Sequence, residues 1–374
     1  MGSTVSGDRS PSRGSSSSSA DDPSPSTSSQ SGAGTASGRT GTVTIEFSGD
    51  DIPQEEIIAA AKKGDGYDFE PMFAPVKAYT SSADVSICQM ETTLTPTNTN
   101  LTRSIVHRGP REFATAVRNA GYDGCSTANN HTFDAGVPGL ATTQQVMTSA
   151  GLQVAGPGDA TNPVRTAWYT AKGLKIAQLS YSYTLDNWAQ GSLTGAPPDA
   201  PWLKQSLYAV RGAAGISADA AKARAAGADI VLVSLHWGTQ FAFEPSGDQV
   251  ALAQQLLASP NVDMIIGNHP HVVQRCGASN GKLVFYSLGN QLSNQGVNWG
   301  FPDATQDGVM VKVTLTKSAS GLKVDKAEYQ PTRARRTGGY IIDQVSKASN
   351  PSSWASTSRL IQGPSNACQL TPAP

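Results

Sequence analysis

A chain of 374 residues is long enough for one large domain or two ordinary ones, each with a buried core. Its 28 basic and 29 acidic residues leave a formal net charge of -1, so no global field recruits nucleic acid or an anionic membrane, and no apolar run reaches the length of a membrane span. Charged residues make up only 15%, below the usual quarter, which predicts a surface built of small polar groups.

Residues 1 to about 40 read as a separate segment: Ser15 to Ser19 is an unbroken serine run, and Asp21 to Gly34 adds Pro, Ser and Gly with almost nothing to bury. Such a stretch does not offset its ordering entropy and is expected to be unfolded. It lacks the apolar core of a signal peptide. A tether of this composition is similar to the spacer behind a cleaved signal or lipid anchor in exported bacterial proteins. An extracellular or cell-surface location is expected on that analogy, with membrane contact only through an upstream anchor.

From Thr42 the chain alternates strand and helix signals. Thr42 to Ser48 reads as a strand running into Gly49-Asp50, while Pro53 to Lys63 and Phe73 to Thr80 read as short helices. Ala83 to Met90 is a second strand ending at Glu91, Arg111 to Ala120 a helix, Tyr122 to Thr127 a third strand reaching Asn130-His131, and Gly136 to Ala150 a helix closed by Gly151. Thr166 to Thr170 and Leu174 to Tyr181 form a hairpin around Lys172-Gly173. Ile216 to Ala226 is helical, Ile230 to Leu235 a buried strand, Gln249 to Ala258 a helix and Met264 to Ile266 a strand. Lys282 to Leu288, Gly308 to Thr316 and Leu322 to Gln330 finish as β. Repeated βα units with a β-rich close predict a layered α/β domain with both sheet faces covered, expected over 41–335, with 336–374 as an extension packed on it.

Four of the five histidines fall in three segments, Ala128-Asn129-Asn130-His131, Leu235-His236-Trp237-Gly238 and Gly267-Asn268-His269-Pro270-His271, each behind a strand-like run. Open α/β sheets place ligands where strands end, and imidazole is the commonest metal ligand near neutral pH. Asp50 and Glu91 end the first two strands, so carboxylate, amide and imidazole groups are expected at one edge. That donor set suits a divalent metal (Mn²⁺, Fe, Zn²⁺ or Mg²⁺, one or two ions) able to activate water at neutral pH. Plain structural roles are open as well: Asp50 capping a turn, Glu91 pairing an arginine, Asn130 holding a loop. His107 belongs to none of the three segments. With Arg108 and Arg111 it reads as a solvated basic face or as a contact for an anionic substrate. Trp237 reads as packing, and Asn290 as a group that orients a loop histidine.

Cys88 and Cys125 sit on strands that can lie side by side, Cys276 follows the last histidine loop, and Cys368 lies in the tail. Two disulfides are expected, Cys88 to Cys125 and Cys276 to Cys368, the second fastening the C-terminus; four buried thiols are the alternative.

The chain resembles the CapA, or poly-γ-glutamate capsule biosynthesis, family, which is similar in fold to the calcineurin-like metallophosphatases. The likeness runs from about Val43 to Leu315. It rests on Phe47-Ser48-Gly49-Asp50, Gln89-Met90-Glu91-Thr92, Ala128 to His131 with Asp134-Ala135-Gly136, His236-Trp237-Gly238, Gly267 to His271 and Tyr286-Ser287-Leu288-Gly289-Asn290. The resemblance implies a layered metallophosphatase-like β-sandwich flanked by helices. It implies metal ligands at Asp50, Glu91, Asn130, His236, His269 and His271, with Glu91 bridging. It also implies His131 as proton donor to a leaving group and Asp134 as the residue that orients it. Asp50 is followed by Asp51 and Ile52 where phosphatases have Asp-x-His, so one ligand of a two-metal set is absent. Asn268 and Gln291 also depart from the family pattern and are expected at the site rim. Two function classes follow. One is a metal-dependent hydrolase acting on a phosphoester or a γ-glutamyl or peptide bond of an exported polymer such as poly-γ-glutamate. The other is a non-catalytic binding or assembly protein of such a system. A peptide epimerase using the same site is a narrower third. An anionic polymer or peptide is the expected partner, and nucleic acid is not.

Overall fold

The computed structural model describes residues 38–101, 106–187 and 195–374. The segment expected to be unfolded lies outside them, apart from residues 38–40. Among the described residues two large sheets face each other. In the larger, the path runs through Ile341–Gln344, Gly321–Arg335, Asp307–Ser318, Gly41–Asp51, Val85–Met90, Gly124–Ser126, Gln153–Pro157 and Val164–Arg165, with Asn290–Leu292 also paired to Gly41–Asp51 and Thr371–Pro372 to Gly321–Arg335. The smaller sheet orders as Ala167–Ala171, Leu174–Ser182, Ile230–His236, Met264–Asn268, Lys282–Leu288 and Val273–Ser279. Each sheet carries a central run of parallel strands.

The period-two alternation of these strands explains the layering. Val43, Ile45 and Phe47 join Ile87, Ile230, Leu232, Met264 and Ile266 in one core between the sheets. The alternate residues point outward: Cys88 and Met90 pack with Phe113, Val117 and Met147, while Val231, Val233 and Leu235 pack with Ile216, Ala220 and Leu256. The helices Glu112–Asn119 and Gly136–Ser149 cover one outer face, and Tyr208–Ala225 and Gly247–Ala258 the other. Burying such a side chain is worth about 1.5–3 kcal/mol, which is why both faces of the central strands are apolar. The expected sandwich flanked by helices is the architecture observed.

Both disulfides form as expected, Cys88 to Cys125 and Cys276 to Cys368. Cys88 and Cys125 are direct cross-strand partners. The hairpin around Lys172-Gly173 is present, both turn residues having positive φ (50° and 76°), the geometry a tight hairpin needs. Several expectations need correction. Phe73 to Thr80 is not one helix but two short turns, Glu70–Phe73 and Lys77–Thr80, separated around Pro75, which lacks an N–H. The first helix is only Glu55–Ala60, and Lys62–Lys63 turns into a small ladder with Gly66–Tyr67. The helix expected from Ile216 starts at Tyr208 and kinks at Gly212, whose φ is 57°.

Candidate metal centre

The carboxyl ends of both parallel runs open on the same edge of the sandwich. Asp50 lies near the end of Gly41–Asp51, Glu91 follows Val85–Met90, Asn130 and His131 follow Gly124–Ser126, His236 ends Ile230–His236, and His269 and His271 follow Met264–Asn268. Close backbone approach holds these ends together. A Cβ on Gly49 would lie 2.1 Å from the Gly289 carbonyl oxygen, and one on Gly267 would lie 2.1 Å from that of Tyr286. The loop beyond is strained: His269 and His271 adopt φ of 100° and 57°, a region that side chains other than glycine enter only when their surroundings impose it.

Six of the expected residues converge. Glu91, His236 and His269 form one group, Asp50, Glu91 and His271 a second, and within each the ligand-type atoms lie within 4.8 Å of one another. Glu91 belongs to both. Its Oε1 is 3.5 Å from His236 Nε2 and 3.9 Å from His271 Nε2. His236 Nε2 is also 2.6 Å from Asn130 Oδ1 and 3.1 Å from His269 Nδ1, so three donors surround one point. Asp50 Oδ2 lies 3.5 Å from His271 Nδ1 and accepts the His269 backbone N–H at 3.2 Å. Asn290 sits beside His271, its Oδ1 2.9 Å from Nδ1, the orienting contact expected of it. Gln89 Nε2 lies 3.5 Å behind His236 Nδ1. Trp237 is packed, its Nε1–H donating to Tyr286 O at 2.9 Å.

The donor set fits a divalent cation. Asp50 and Glu91 are fully buried, yet among the described residues both oxygens of Glu91 and Oδ1 of Asp50 lack a hydrogen-bond partner. Buried carboxylates in that condition are unfavourable unless a cation joins them. Burial, and after it the neighbouring Asp50 carboxylate, pushes Glu91 well above the usual carboxylate range. Burial lowers His236 to about 3 and His269 well below its ordinary value, leaving both neutral, as metal ligands must be. His271 goes the other way: burial lowers it, but the carboxylates of Glu91 and Asp50 outweigh that and hold it up at about 9. His271 faces the acidic groups that a metal would share with it, so a metal binding there would have to displace its proton. Ile52 occupies the position of the absent Asp-x-His histidine and is 1% exposed.

His131 and Asp134 form the expected pair, Nδ1 to Oδ2 at 2.7 Å. The other ring nitrogen lies 3.2 Å from Asn187 Nδ2, whose Oδ1 accepts from Asn130 Nδ2 at 3.0 Å. Burial lowers His131 to about 3 and raises Asp134 to about 7. The solvated reading of His107 is wrong. Its ring is buried and stacks on His131 with centroids 3.7 Å apart and planes 12° from parallel, and its backbone N–H donates to Asp134 Oδ2 at 2.5 Å. With Asp134 the two rings form a third group whose ligand-type atoms lie within 4.8 Å of one another, but the stacking sets their lone pairs in parallel planes, which suits packing better than a shared ion. The parallel pairing of Thr93–Thr95 with Arg108–Pro110 brings His107 there, and no local sequence signal marks it. Asn268 and Gln291 are not rim residues: both are buried, and Gln291 donates to Tyr122 OH at 3.3 Å.

The histidines and carboxylates gathered at the strand ends of the sandwich make a candidate metal centre, and the sequence places the chain in one family. The chain belongs to the bacterial capsule synthesis protein family PGA_cap, whose pattern matches residues 44–295. It is 29% identical over 213 residues to the capsule biosynthesis protein CapA of Bacillus anthracis, covering 56% of this chain and 48% of that protein. It is 27% identical over 251 residues to the PGA biosynthesis protein CapA of Bacillus subtilis (strain 168), covering 64% and 61%. The chain therefore spans about half the length of the first relative and less than two thirds of the second. Among solved structures it is similar to the calcineurin-like phosphoesterase YfkN of Bacillus subtilis, at 12% identity and a TM-score of 0.45 over 85% of this chain and 98% of that one.

Proposed function

We propose that the chain is a divalent-metal-dependent hydrolase that cleaves a phosphoester or a γ-glutamyl or peptide bond in an anionic exported polymer. The observation that carries this reading is Glu91, buried between two histidine groups with both oxygens unpartnered. Asp50, Glu91, Asn130, His236, His269 and His271 would hold the ion, which when bound supplies Lewis-acid polarisation and water activation at neutral pH. The chain itself supplies the proton chemistry. His131 presents its outer ring nitrogen beside Asn187, Asp134 fixes the inner one, and the stacked His107 keeps water from that face. Burial keeps His131 neutral in the free protein, so it would act as the acid only after taking up a proton at that outer nitrogen, which the charge of a bound anionic substrate favours, and that proton would then pass to the departing group. Two disulfides support an oxidising compartment, the cell surface or beyond. No helix among the described residues is long and apolar enough to cross a membrane.

The test is turnover of bis(p-nitrophenyl) phosphate and of a γ-glutamyl anilide by Mn²⁺- and Zn²⁺-loaded protein. The metal-free form and the His269→Ala/His271→Ala variant serve as controls. Metal-dependent turnover lost in the variant is expected. Metal bound tightly with neither substrate hydrolysed would shift the assignment to a binding or assembly protein, the reading that Ile52 in place of a ligand favours.

A further inference from the structure

Four large apolar side chains are exposed among the described residues, Val210, Phe243, Val297 and Trp299, and three of them lie on two loops beside the centre. The first loop leaves the strand that ends at His236 and carries Phe241 and Phe243; the second, past Asn290–Leu292, carries Val297, Trp299 and Phe301. The loops meet where the half-buried rings of Phe241 and Phe301 pack with centroids 5.3 Å apart. The Phe241 ring in turn lies 6.1 Å from that of His271. Apolar side chains thus lead from a metal-site histidine outward to exposed positions.

This exposure is built into the fold. Phe241 holds φ at 65°, a region a bulky side chain enters only under constraint, and its N–H donates to the Pro270 carbonyl, between His269 and His271, at 2.8 Å. The fully buried Gln274 pins the same loop, its Nε2 donating to Ala242 O at 2.8 Å and Glu244 O at 3.2 Å, so Phe243 stands out from a fixed backbone. The second loop is fastened through Asn290. Its Nδ2 donates to Gln295 Oε1 at 3.1 Å and to Thr305 O at 2.8 Å, while its Oδ1 lies 2.9 Å from His271 Nδ1. Both loops are tied to the surroundings of His271, and exposed apolar groups on anchored backbone mark a contact site. Glu244 and Asp303, with side chains 78% and 62% exposed, flank the patch and disfavour the anionic surface of a membrane.

We propose that these loops form an apolar subsite for an alkyl or aryl group joined to the phosphoryl or carbonyl group that lies at the metal residues. The substrate is then amphipathic, with a polar scissile bond at the centre and an apolar substituent against Phe241, Phe301 and Trp299. In the polymer proposed above, that describes a bond to an apolar terminal group and not one between two acidic units. Continuity with His271 favours this occupant over a separate protein, since the apolar wall begins at the centre itself. The position of the scissile bond rests on the hydrolase reading; the apolar contact is a binding property.

Binding to the Mn²⁺-loaded full-length chain is measured by calorimetry with methylphosphonate, n-octylphosphonate and phenylphosphonate, probes that share one polar head. The octyl or the phenyl compound should bind about ten- to a hundredfold more tightly than the methyl one, and whichever is favoured tells alkyl from aryl. Phe243→Ala and Trp299→Ala, both at exposed positions, should each cut that ratio about threefold or more. Val210→Ala, on the helix Tyr208–Ala225, should leave it unchanged. Tryptophan fluorescence should move to shorter wavelength with the favoured phosphonate, and the shift should be lost in Trp299→Ala. No binding, equal affinity for the three probes, or a preference that survives both loop variants would overturn the subsite. So would Trp299-dependent cosedimentation with phosphatidylcholine vesicles or Trp299-dependent self-association, which would assign the patch to a membrane or a second copy. If bis(p-nitrophenyl) phosphate and the γ-glutamyl anilide are not turned over but the preference persists, the hydrolase reading falls and the subsite stands; turnover without the preference gives the reverse.

Discussion

Glu91→Gln separates the two states of the centre because it exchanges the shared carboxylate for a neutral group of equal size. In the metal-free protein the wild-type side chain is fully buried, its oxygens unpartnered, and burial already disfavours its ionised form. The amide should therefore leave metal-free stability little changed, relief from burying an acidic group being offset by loss of its attraction to His271. With metal present the two forms should diverge. An ion that binds only the folded state at a free concentration of about 100 Kd stabilises by about 2.7 kcal/mol. At about 2.1 cal/mol/K of unfolding entropy per residue, residues 41–374 have roughly 0.7 kcal/mol/K, so the wild-type Tm should rise by about 4 °C. Glu91→Gln removes the group common to both histidine clusters, and its shift should stay below about 1 °C. Scanning calorimetry across a Mn²⁺ series, referenced to chelated protein, reads both numbers. A variant with the full wild-type shift would show that Glu91 is not the shared ligand.

Three other outcomes follow from the same geometry. His131→Ala should keep its metal while kcat on a confirmed substrate falls by about 10²–10⁴, with Asp134→Asn losing less; loss of metal in His131→Ala would make it a ligand, and full activity would make it structural. Because His271 is held near 9 against an ordinary value of 6.5, metal must displace its proton. Affinity measured by competition dialysis should thus strengthen at least tenfold per pH unit from 6 to 8, Glu91 adding to the slope where burial keeps it protonated, and pH-independent affinity would contradict this. In the metal-free protein the sign is opposite: the His271 contribution to stability is complete below its unfolded value of 6.5 and fades as pH rises through about 9. Replacing Cys276 and Cys368 by serine opens a link across 92 residues and should lower stability by about 2–4 kcal/mol, roughly 3–6 °C, by calorimetry; an unchanged Tm would show that the tail is held without it.

Much of the architecture was legible because both faces of the central strands are covered, giving apolar runs such as Ile230 to Leu235 that end on polar groups. The strand-end rule then placed Asp50, Glu91, Asn130, His236, His269 and His271 on one edge, and the structure gathers all six there. What escaped was set by long-range pairing. Val273–Ser279 carries Gln274 and Arg275 straight after the histidine loop, and its strand character comes from antiparallel pairing with Lys282–Leu288, not from alternation. The helix Pro351–Gln362 is rich in serine and threonine, with little apolar periodicity, and is recognisable chiefly by Asn350 accepting from the Ser353 backbone at its start. His107 lies in a loop whose address is fixed by Thr93 across the fold; Thr93 Oγ1 donates to its carbonyl at 2.7 Å.

The central assignment is tested most directly by anomalous diffraction from crystals grown with Mn²⁺. The expected result is a strong peak among Glu91, Asn130, His236 and His269, and a weaker one on the Asp50 and His271 side, where Ile52 stands in place of a ligand. A peak confined to His107, His131 and Asp134, or no peak beside Glu91 under conditions where solution binding saturates, would contradict it.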